Sequence, residues 1–368
     1  MRTSTRRLIA SATGLLLAGS VTACGSKSET TAAGAGAGGA GGAGGSKEIV
    51  VFIPSSTNRY IQQWEAGAKE KAAKLGYTVR ILEAGDKDTQ SQQVDQQLAA
   101  ATKPAGYVWW PTANEALVGK LTQLGASGVP VIQTNQLPIK GTEKSWTAYA
   151  GVNDILNGQY AGEMLMDACK SAAKACKDGI IARFPTGYSA GDDRITGFKK
   201  AAGSLNVLQT VDTGGFQEKE GYDTTKSVVA ANKDKISWVY GNNDAIAAGV
   251  IQALEESGLK PGKDVLVVGG TCHGDSSNLL GGKLVGTAIQ PAFLEGYLSV
   301  QVLNQYLKNG KKVEDGEFNV PPDANTPPSD DAVPHKYNFM PNPKIAPTQK
   351  AYDEAKIWGY SMKQLCDY

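Results

Sequence analysis

The feature that most constrains this chain is a run of short apolar strand candidates that comes twice. The first series begins near Glu48 (EIVVFIP), Thr78 (TVRILEA), Tyr107 (YVWWP), Val129 (VPVIQTN) and Ala148 (AYAGVN). The second begins near Gly179 (GIIARFP), Asn206 (NVLQTVD), Trp238 (WVYGNND), Val265 (VLVVGG) and Leu284 (LVGTAIQ). Paired in order, the starts differ by 131, 128, 131, 136 and 136 residues. Helical patterns lie between most of them, for example Ile61 to Leu75, Gln93 to Thr102 and Ile155 to Cys169. Strands alternating with helices predict parallel sheets covered on both faces. Five similar offsets predict one architecture used twice: an α/β fold of two lobes with a cleft between them. At 368 residues the chain is long enough to give each lobe its own core.

Beyond Gln290 the pattern changes. One more amphipathic helix is expected from about Ala292 to Leu307. Val320 to Pro347 then carries eight prolines and reads as an irregular connection or surface strap. A short helix, Gln349 to Trp358, precedes Cys366.

The N-terminus carries an address. Arg2, Arg6 and Arg7 form a basic region, Leu8 to Ala18 a short apolar one, and Val21-Thr22-Ala23-Cys24 closes it with small residues. This resembles a bacterial lipoprotein signal, which implies removal of residues 1–23 and lipidation of Cys24. The apolar run is short for a membrane span. Gly25 to Ser46 is dominated by Gly, Ala, Ser and Thr and cannot bury enough apolar surface to fold, so 24–46 reads as a lipidated cysteine on a flexible tether. Losing the three leader arginines leaves 34 of the 37 basic side chains against 36 acidic ones, a net charge of −2. That balance gives no support for nucleic-acid binding, which uses a concentrated basic face.

With Cys24 assigned, Cys169, Cys176, Cys272 and Cys366 remain, an even number for an oxidising compartment. Three pairings are possible. Cys169 and Cys176 lie too far apart on a continuous helix to be bridged, but close a small loop if the helix stops near Lys170. The favoured pairing is Cys169–Cys176 and Cys272–Cys366, the second tying the tail to the body.

One motif points toward an enzyme. Gly187-Tyr188-Ser189-Ala190-Gly191 matches the G-x-S-x-G nucleophile elbow, which would make Ser189 the nucleophile of a secreted hydrolase. A hydrolase also needs a histidine, and only His273, in a Gly-rich loop, and His335, in the proline-rich strap, exist. Pro185 and Thr186 also lengthen a turn that an elbow keeps tight. Cys272-His273-Gly274-Asp275 has no partner cluster at metal-ligand spacing, and no Walker or dinucleotide glycine pattern follows a strand in frame. No cofactor or metal is expected.

What recurs at strand ends is a different set. Asn58 and Tyr60 follow the first strand, Trp110 closes the third, and Asn135-Gln136 close the fourth. Asp193-Arg194 and Phe216 follow second-lobe strands, Asn243 closes another beside Asp244, a candidate helix N-cap, and Gln290 ends the last. Open α/β sheets hold ligands at the carboxyl ends of their strands. Planar amides and Arg bond neighbouring hydroxyls, and aromatic faces pack against the C–H side of a sugar. The set fits a neutral polyhydroxylated ligand.

From about Lys47 to Leu307 the chain resembles the ribose/galactose-type periplasmic solute-binding proteins of ABC transporters. The resemblance rests on Asn58-Arg59-Tyr60 with Glu65-Ala66-Gly67, Trp110-Pro111-Thr112, Gly128-Val129-Pro130-Val131-Ile132, Asp193-Arg194 with Gly197-Phe198, Asn242-Asn243-Asp244 and Ala288-Ile289-Gln290. It implies two Rossmann-like lobes, a three-segment hinge and a sugar held between closing lobes. Asn58, Arg194, Asn243 and Gln290 would bond hydroxyls, Tyr60 and Phe216 would stack on the two ligand faces, and Arg59, Trp110, Asn135, Gln136, Asp193 and Thr271 complete the expected ligand set. The family's Asp-Arg pair is replaced by Asn135-Gln136 and a later Asp by Thr271, which points to a different pentose, a sugar alcohol or a deoxy sugar. The expected lobes are 47–153 with 291–320, and 154–290 with 321–368. Crossings are placed near Asn153, near Gln290 and between Glu317 and Tyr337. The reading is a monomeric, lipid-anchored extracytoplasmic receptor that hands a monosaccharide or sugar alcohol to a membrane permease. The alternative within the binding class is a ligand-sensing co-receptor for a membrane signalling protein.

Overall fold

The computed structural model describes residues 46–172, 175–273, 276–321, 326–345 and 348–367. The expected leader, Cys24 and the tether up to residue 45 lie outside them.

In chain order the first lobe begins with β1 (Glu48–Pro54), α1 (Arg59–Leu75), β2 (Thr78–Ala84), α2 (Lys87–Ala99), β3 (Gly106–Trp109), α3 (Val118–Ala126), β4 (Val131–Gln133) and β5 (Ala148–Gly151). The second lobe follows with α4 (Asp154–Ser171), β6 (Asp178–Arg183), α5 (Ser189–Ala202), β7 (Asn206–Asp212), α6 (Glu218–Asn232), β8 (Ile236–Gly241), α7 (Asp244–Glu256), β9 (Leu266–Gly269), α8 (Ser277–Leu280) and β10 (Leu284–Ala288). After α9 (Ala292–Lys308) come β11 (Glu314–Asn319), β12 (His335–Phe339), β13 (Lys344–Ile345), α10 (Gln349–Glu354), β14 (Lys356–Ile357), β15 (Tyr360–Ser361) and α11 (Met362–Cys366).

All ten strands expected in the two series form, each starting within two residues of its expected position. The first sheet runs β11-β12-β5-β4-β3-β1-β2 and the second β13-β10-β9-β8-β6-β7. Five strands of each follow the same order, 2-1-3-4-5 within the lobe, and all of these pair in parallel. The central strands are buried on both faces: Ile49 to Ile53 and Trp238 to Tyr240 are fully enclosed, as helices on both sides of a parallel sheet require.

The helices at the crossings exchange lobes. α4 leaves β5 of the first lobe and packs on α5, β9 and β10 of the second, and α9 leaves β10 and packs back on α1, β4 and β5. Both helix pairs approach so closely that glycine is required at the contact. A Cβ on Gly67 would lie 1.8 Å from the Phe293 carbonyl oxygen, and one on Gly197 would lie 1.8 Å from that of Ile155. The Glu-Ala-Gly and Gly-Phe pieces of the sequence motif are therefore packing devices that seat each crossing helix behind the cleft.

The tail departs from expectation. The proline-rich segment, expected to be an irregular connection or strap and placed from residue 321 on in the second lobe, instead contributes β12 to the first-lobe sheet, parallel to β5 with Tyr337 opposite Tyr149. β11 adds outside it. Residues 335–339 thus belong with the first lobe, because Phe339 and Asn338 bury themselves along β5. The third crossing falls after Phe339 and before Lys344, later than the expected 317–337, and β13 then pairs antiparallel with β10. The final helix is also shorter than expected, stopping at Glu354 before the β14–β15 hairpin.

From there the tail touches both lobes. The Tyr360 hydroxyl donates to Glu70 Oε1 at 2.7 Å on α1, and the Trp358 ring lies 5.9 Å from that of Tyr297 on α9. At its end Cys366 stands beside Cys272, with Cα atoms 5.1 Å apart; Cys169 and Cys176 stand 5.7 Å apart after α4 ends at Ser171. Both separations are within disulfide range. Among the described residues no helix is long and apolar enough to cross a membrane.

Candidate functional site

A cavity of about 370 Å³ opens between the lobes at the carboxyl ends of both sheets. Nine of the twelve sequence-predicted ligand residues line it: Asn58, Tyr60, Trp110, Asn135, Arg194, Phe216, Asn243, Thr271 and Gln290. Arg59, Gln136 and Asp193 do not. Arg59 opens α1 on its exposed side. Gln136 is fully buried, donating to the Pro111 carbonyl at 2.7 Å. Asp193 sits on α5 beside the cavity, where burial and then the Asp192 charge push its carboxyl up to about 6. Tyr188, His273, Phe184 and Thr112 join the wall without having been expected there.

On the first-lobe wall Asn58 caps α1, its Oδ1 accepting from the Tyr60 amide at 2.8 Å. That cap fixes the direction in which Tyr60 leaves the helix. The Tyr60 ring stands edge-on to Trp110, with centroids 6.1 Å apart, and to His273 at 5.5 Å. Its hydroxyl donates to Glu295 Oε2 at 2.8 Å, and Asn135 Nδ2 donates to the same oxygen at 3.1 Å. Glu295 lies on α9, fully buried behind the wall, and burial pushes its carboxyl up to about 7. Asn135 takes a left-handed backbone, φ 66°, a conformation asparagine adopts more readily than most residues.

On the second-lobe wall Arg194 plays the corresponding part. It is 2% exposed, and its Nε donates to Asp154 Oδ1 at 2.8 Å. Nη1 donates to the carbonyls of Asn242 and Gly270, and Nη2 to Gln290 Oε1. Burial pushes Asp154 up while the guanidinium pulls it down. Asp154 is the first residue of α4, the helix that crosses from the first lobe. Asn243, rather than Asp244, is the N-cap of α7: its Oδ1 accepts from the Ile246 amide at 2.7 Å, and its Nδ2 donates to the Phe216 carbonyl at 2.9 Å. Asp244 instead accepts from the Cys272 amide and the Thr287 hydroxyl. Both Arg194 and Asn243 are thus held by the protein itself, so that only their remaining valences are open to the hydroxyl bonds expected of them.

The two walls meet through Tyr188. Its hydroxyl donates to Asn135 Oδ1 at 2.6 Å and accepts from Trp110 Nε1 at 3.3 Å. Its enclosed position pushes the phenol pKa up, so it remains a donor. Burial, with the Arg194 charge, pushes His273 down to about 4, leaving it neutral. Among the described residues, then, the interior of the cavity is aromatic and amide-lined, with Arg194 already paired and Glu220 near the exposed Gln217.

Ser189 does not stand in a hydrolase arrangement. It opens α5, and its hydroxyl donates to Gln136 Oε1 of the first lobe at 3.3 Å. His335 lies on β12, paired with Glu314, and the His273 ring packs on Tyr60.

The chain is similar to the ribose import binding protein of Salmonella typhimurium, 28% identical over 270 residues that cover 72% of this chain and 86% of that protein. It is also 28% identical over 271 residues to the D-apiose import binding protein of Actinobacillus succinogenes, covering 71% and 82%. A periplasmic ribose ABC transporter structure from Conexibacter woesei superposes with a TM-score of 0.70 at 19% identity, covering 89% of this chain and 100% of that one, and so shares the fold. Residues 49–312 match the family model described as periplasmic binding protein domain, which spans both lobes and both walls of the cavity. The chain belongs to the periplasmic binding protein family.

Proposed function

We propose that the chain is the extracytoplasmic receptor of an ABC importer for a neutral monosaccharide or sugar alcohol. The observation that carries this reading is the cavity: five aromatic rings and several planar amides converge on it from both lobes, and its guanidinium is already neutralised. Relatives named for ribose and D-apiose import support the same ligand class. Rings offer apolar faces to the C–H side of a sugar while amides meet its hydroxyls. Ser189, the candidate nucleophile, is instead a contact between the lobes, its hydroxyl donating to Gln136.

Lipid on Cys24 holds the protein at the outer face of the membrane, and the closed lobes, as a monomer, dock on a permease. The lobes are hinged at Val152–Asn153, Ile289–Pro291 and Met340–Pro343, and ligand shifts an open population toward the closed one. Disulfides join Cys169 to Cys176 and Cys272 to Cys366.

Thermal-shift screening of the purified chain from residue 25 against pentoses, hexoses and polyols tests the ligand class, because binding to the folded state raises its melting temperature. A rise with at least one neutral sugar or polyol is expected. No rise with any of them at millimolar concentration would overturn the reading.

A further inference from the structure

Tyr188 occupies an unusual place for a residue of the second lobe. It reaches across the cleft and puts its oxygen between the two polar groups of the opposite wall, Trp110 Nε1 at 3.3 Å and Asn135 Oδ1 at 2.6 Å. Asn135 also spends a donor on Glu295 at 3.1 Å. A hydroxyl group sitting there would find one N–H to accept from and one carbonyl oxygen to donate to, which is the pairing a sugar hydroxyl seeks. The tyrosine's own hydroxyl fills that place. Around it the wall is ring carbon: Tyr188 packs on Phe216 with centroids 4.9 Å apart and on Phe184 at 5.8 Å, and Phe184 and Phe216 lie 5.1 Å apart.

We infer that Tyr188 is a specificity-determining residue that takes the place of one ligand hydroxyl, so that the cleft selects a sugar lacking a hydroxyl on the edge facing Tyr188, Phe184 and Phe216. The inference rests on the sugar-receptor reading and narrows it to deoxy sugars. A hydroxyl pressed against that edge loses its bonds to water and meets aromatic carbon instead. An unpaired buried hydroxyl is disfavoured by on the order of tenfold or more. A methyl group or a bare C–H edge packs there without loss.

The test is calorimetric titration of the chain from residue 25, and of Tyr188→Phe, with matched pairs: D-galactose and D-fucose, L-mannose and L-rhamnose, D-ribose and deoxyribose. The substitution keeps the ring and its packing but uncovers the Asn135 and Trp110 groups. The parent protein is expected to bind a deoxy member about tenfold tighter than its hydroxylated partner, and Tyr188→Phe to erase or reverse that preference. A parent that prefers the hydroxylated members overturns the inference and leaves the receptor reading standing. So does a deoxy preference that is the same in Tyr188→Phe. If the folded parent binds none of these sugars, the inference falls; the receptor reading falls only if no sugar or polyol in the thermal-shift screen raises the melting temperature.

Discussion

The two walls of the cleft are built on one plan and charged differently. In each, a carboxylate on the helix that has crossed from the other lobe stands behind the wall and braces it. Glu295 on α9 holds Tyr60 and Asn135; Asp154 on α4 holds Arg194. Both carboxylates are fully buried, and burial pushes both up. The difference is the partner. Glu295 faces two neutral donors, so it can stay protonated without leaving a charge behind it. Asp154 faces a guanidinium that cannot lose its proton. One brace is therefore replaceable by an uncharged isostere, and the other is half of an ion pair.

The largest effect should come from breaking the charged brace. Arg194→Met leaves Asp154 without its cation, and losing one partner of a buried pair typically costs about 3–5 kcal/mol. Urea unfolding of this variant should show a loss of that size. A loss under about 1 kcal/mol would mean that the pair is not the brace described.

Next comes the tail, which docks behind the first wall through Tyr360 and ends beside the Cys272 loop of the second. The proposed cross-link between Cys272 and Cys366, 94 residues apart in sequence, would constrain the unfolded chain strongly. Replacing Cys272 and Cys366 together by alanine should reduce stability by about 2–5 kcal/mol. Equal stability of parent and variant under oxidising conditions would remove the tail from the account.

The neutral brace gives a pH signature. The Glu295 carboxyl is raised from 4.5 to about 7 in the folded state. A raised pKa means that the folded protein binds the proton more tightly than the unfolded chain. Its contribution is complete below about pH 4.5 and is lost as pH rises through about 7. Glu295→Gln lacks that titration, so between pH 5 and 8 the parent should lose on the order of 2–3 kcal/mol relative to the variant. A difference independent of pH, or one of opposite slope, would contradict the assignment. The smallest effect is expected at Asn243, where alanine removes the α7 cap and the hold on the Phe216 carbonyl. About 1 kcal/mol of stability should go, with weaker ligand binding through the loosened ring; an unchanged melting temperature would show the cap to be idle.

Much of this was legible in the sequence because it is local. Strands such as Glu48–Pro54 and Ile236–Gly241 announce themselves by apolar runs bounded by turns. Their ends then locate Trp110, Asn135, Asn243 and Gln290 in the cleft. The braces were not legible, because a lone Glu or Asp on a helix usually marks its solvated face. Only the exchange of α4 and α9 between lobes buries these two. Tyr188 was hidden inside a pattern that reads as a hydrolase elbow, and nothing in its neighbours tells that its oxygen reaches the other lobe. β12 was missed for a related reason: its five residues, HKYNF, sit among prolines, and their strand exists through pairing with β5, nearly two hundred residues earlier. The glycine between Glu295 and Tyr297 offered a clue, since a glycine inside an amphipathic helix marks a close approach.

On this reading both walls hold the ligand at once. Its most direct test is calorimetry, with the sugar that raises the melting temperature most, on the parent, Trp110→Ala and Phe216→Ala. Trp110 belongs to the first wall and Phe216 to the second. One site per chain is expected, with a loss of affinity of about fivefold or more in each variant, since removing a ring packed on the ligand costs about 1–3 kcal/mol. Parent-like affinity in either variant would show that the ligand rests on one lobe and not between two.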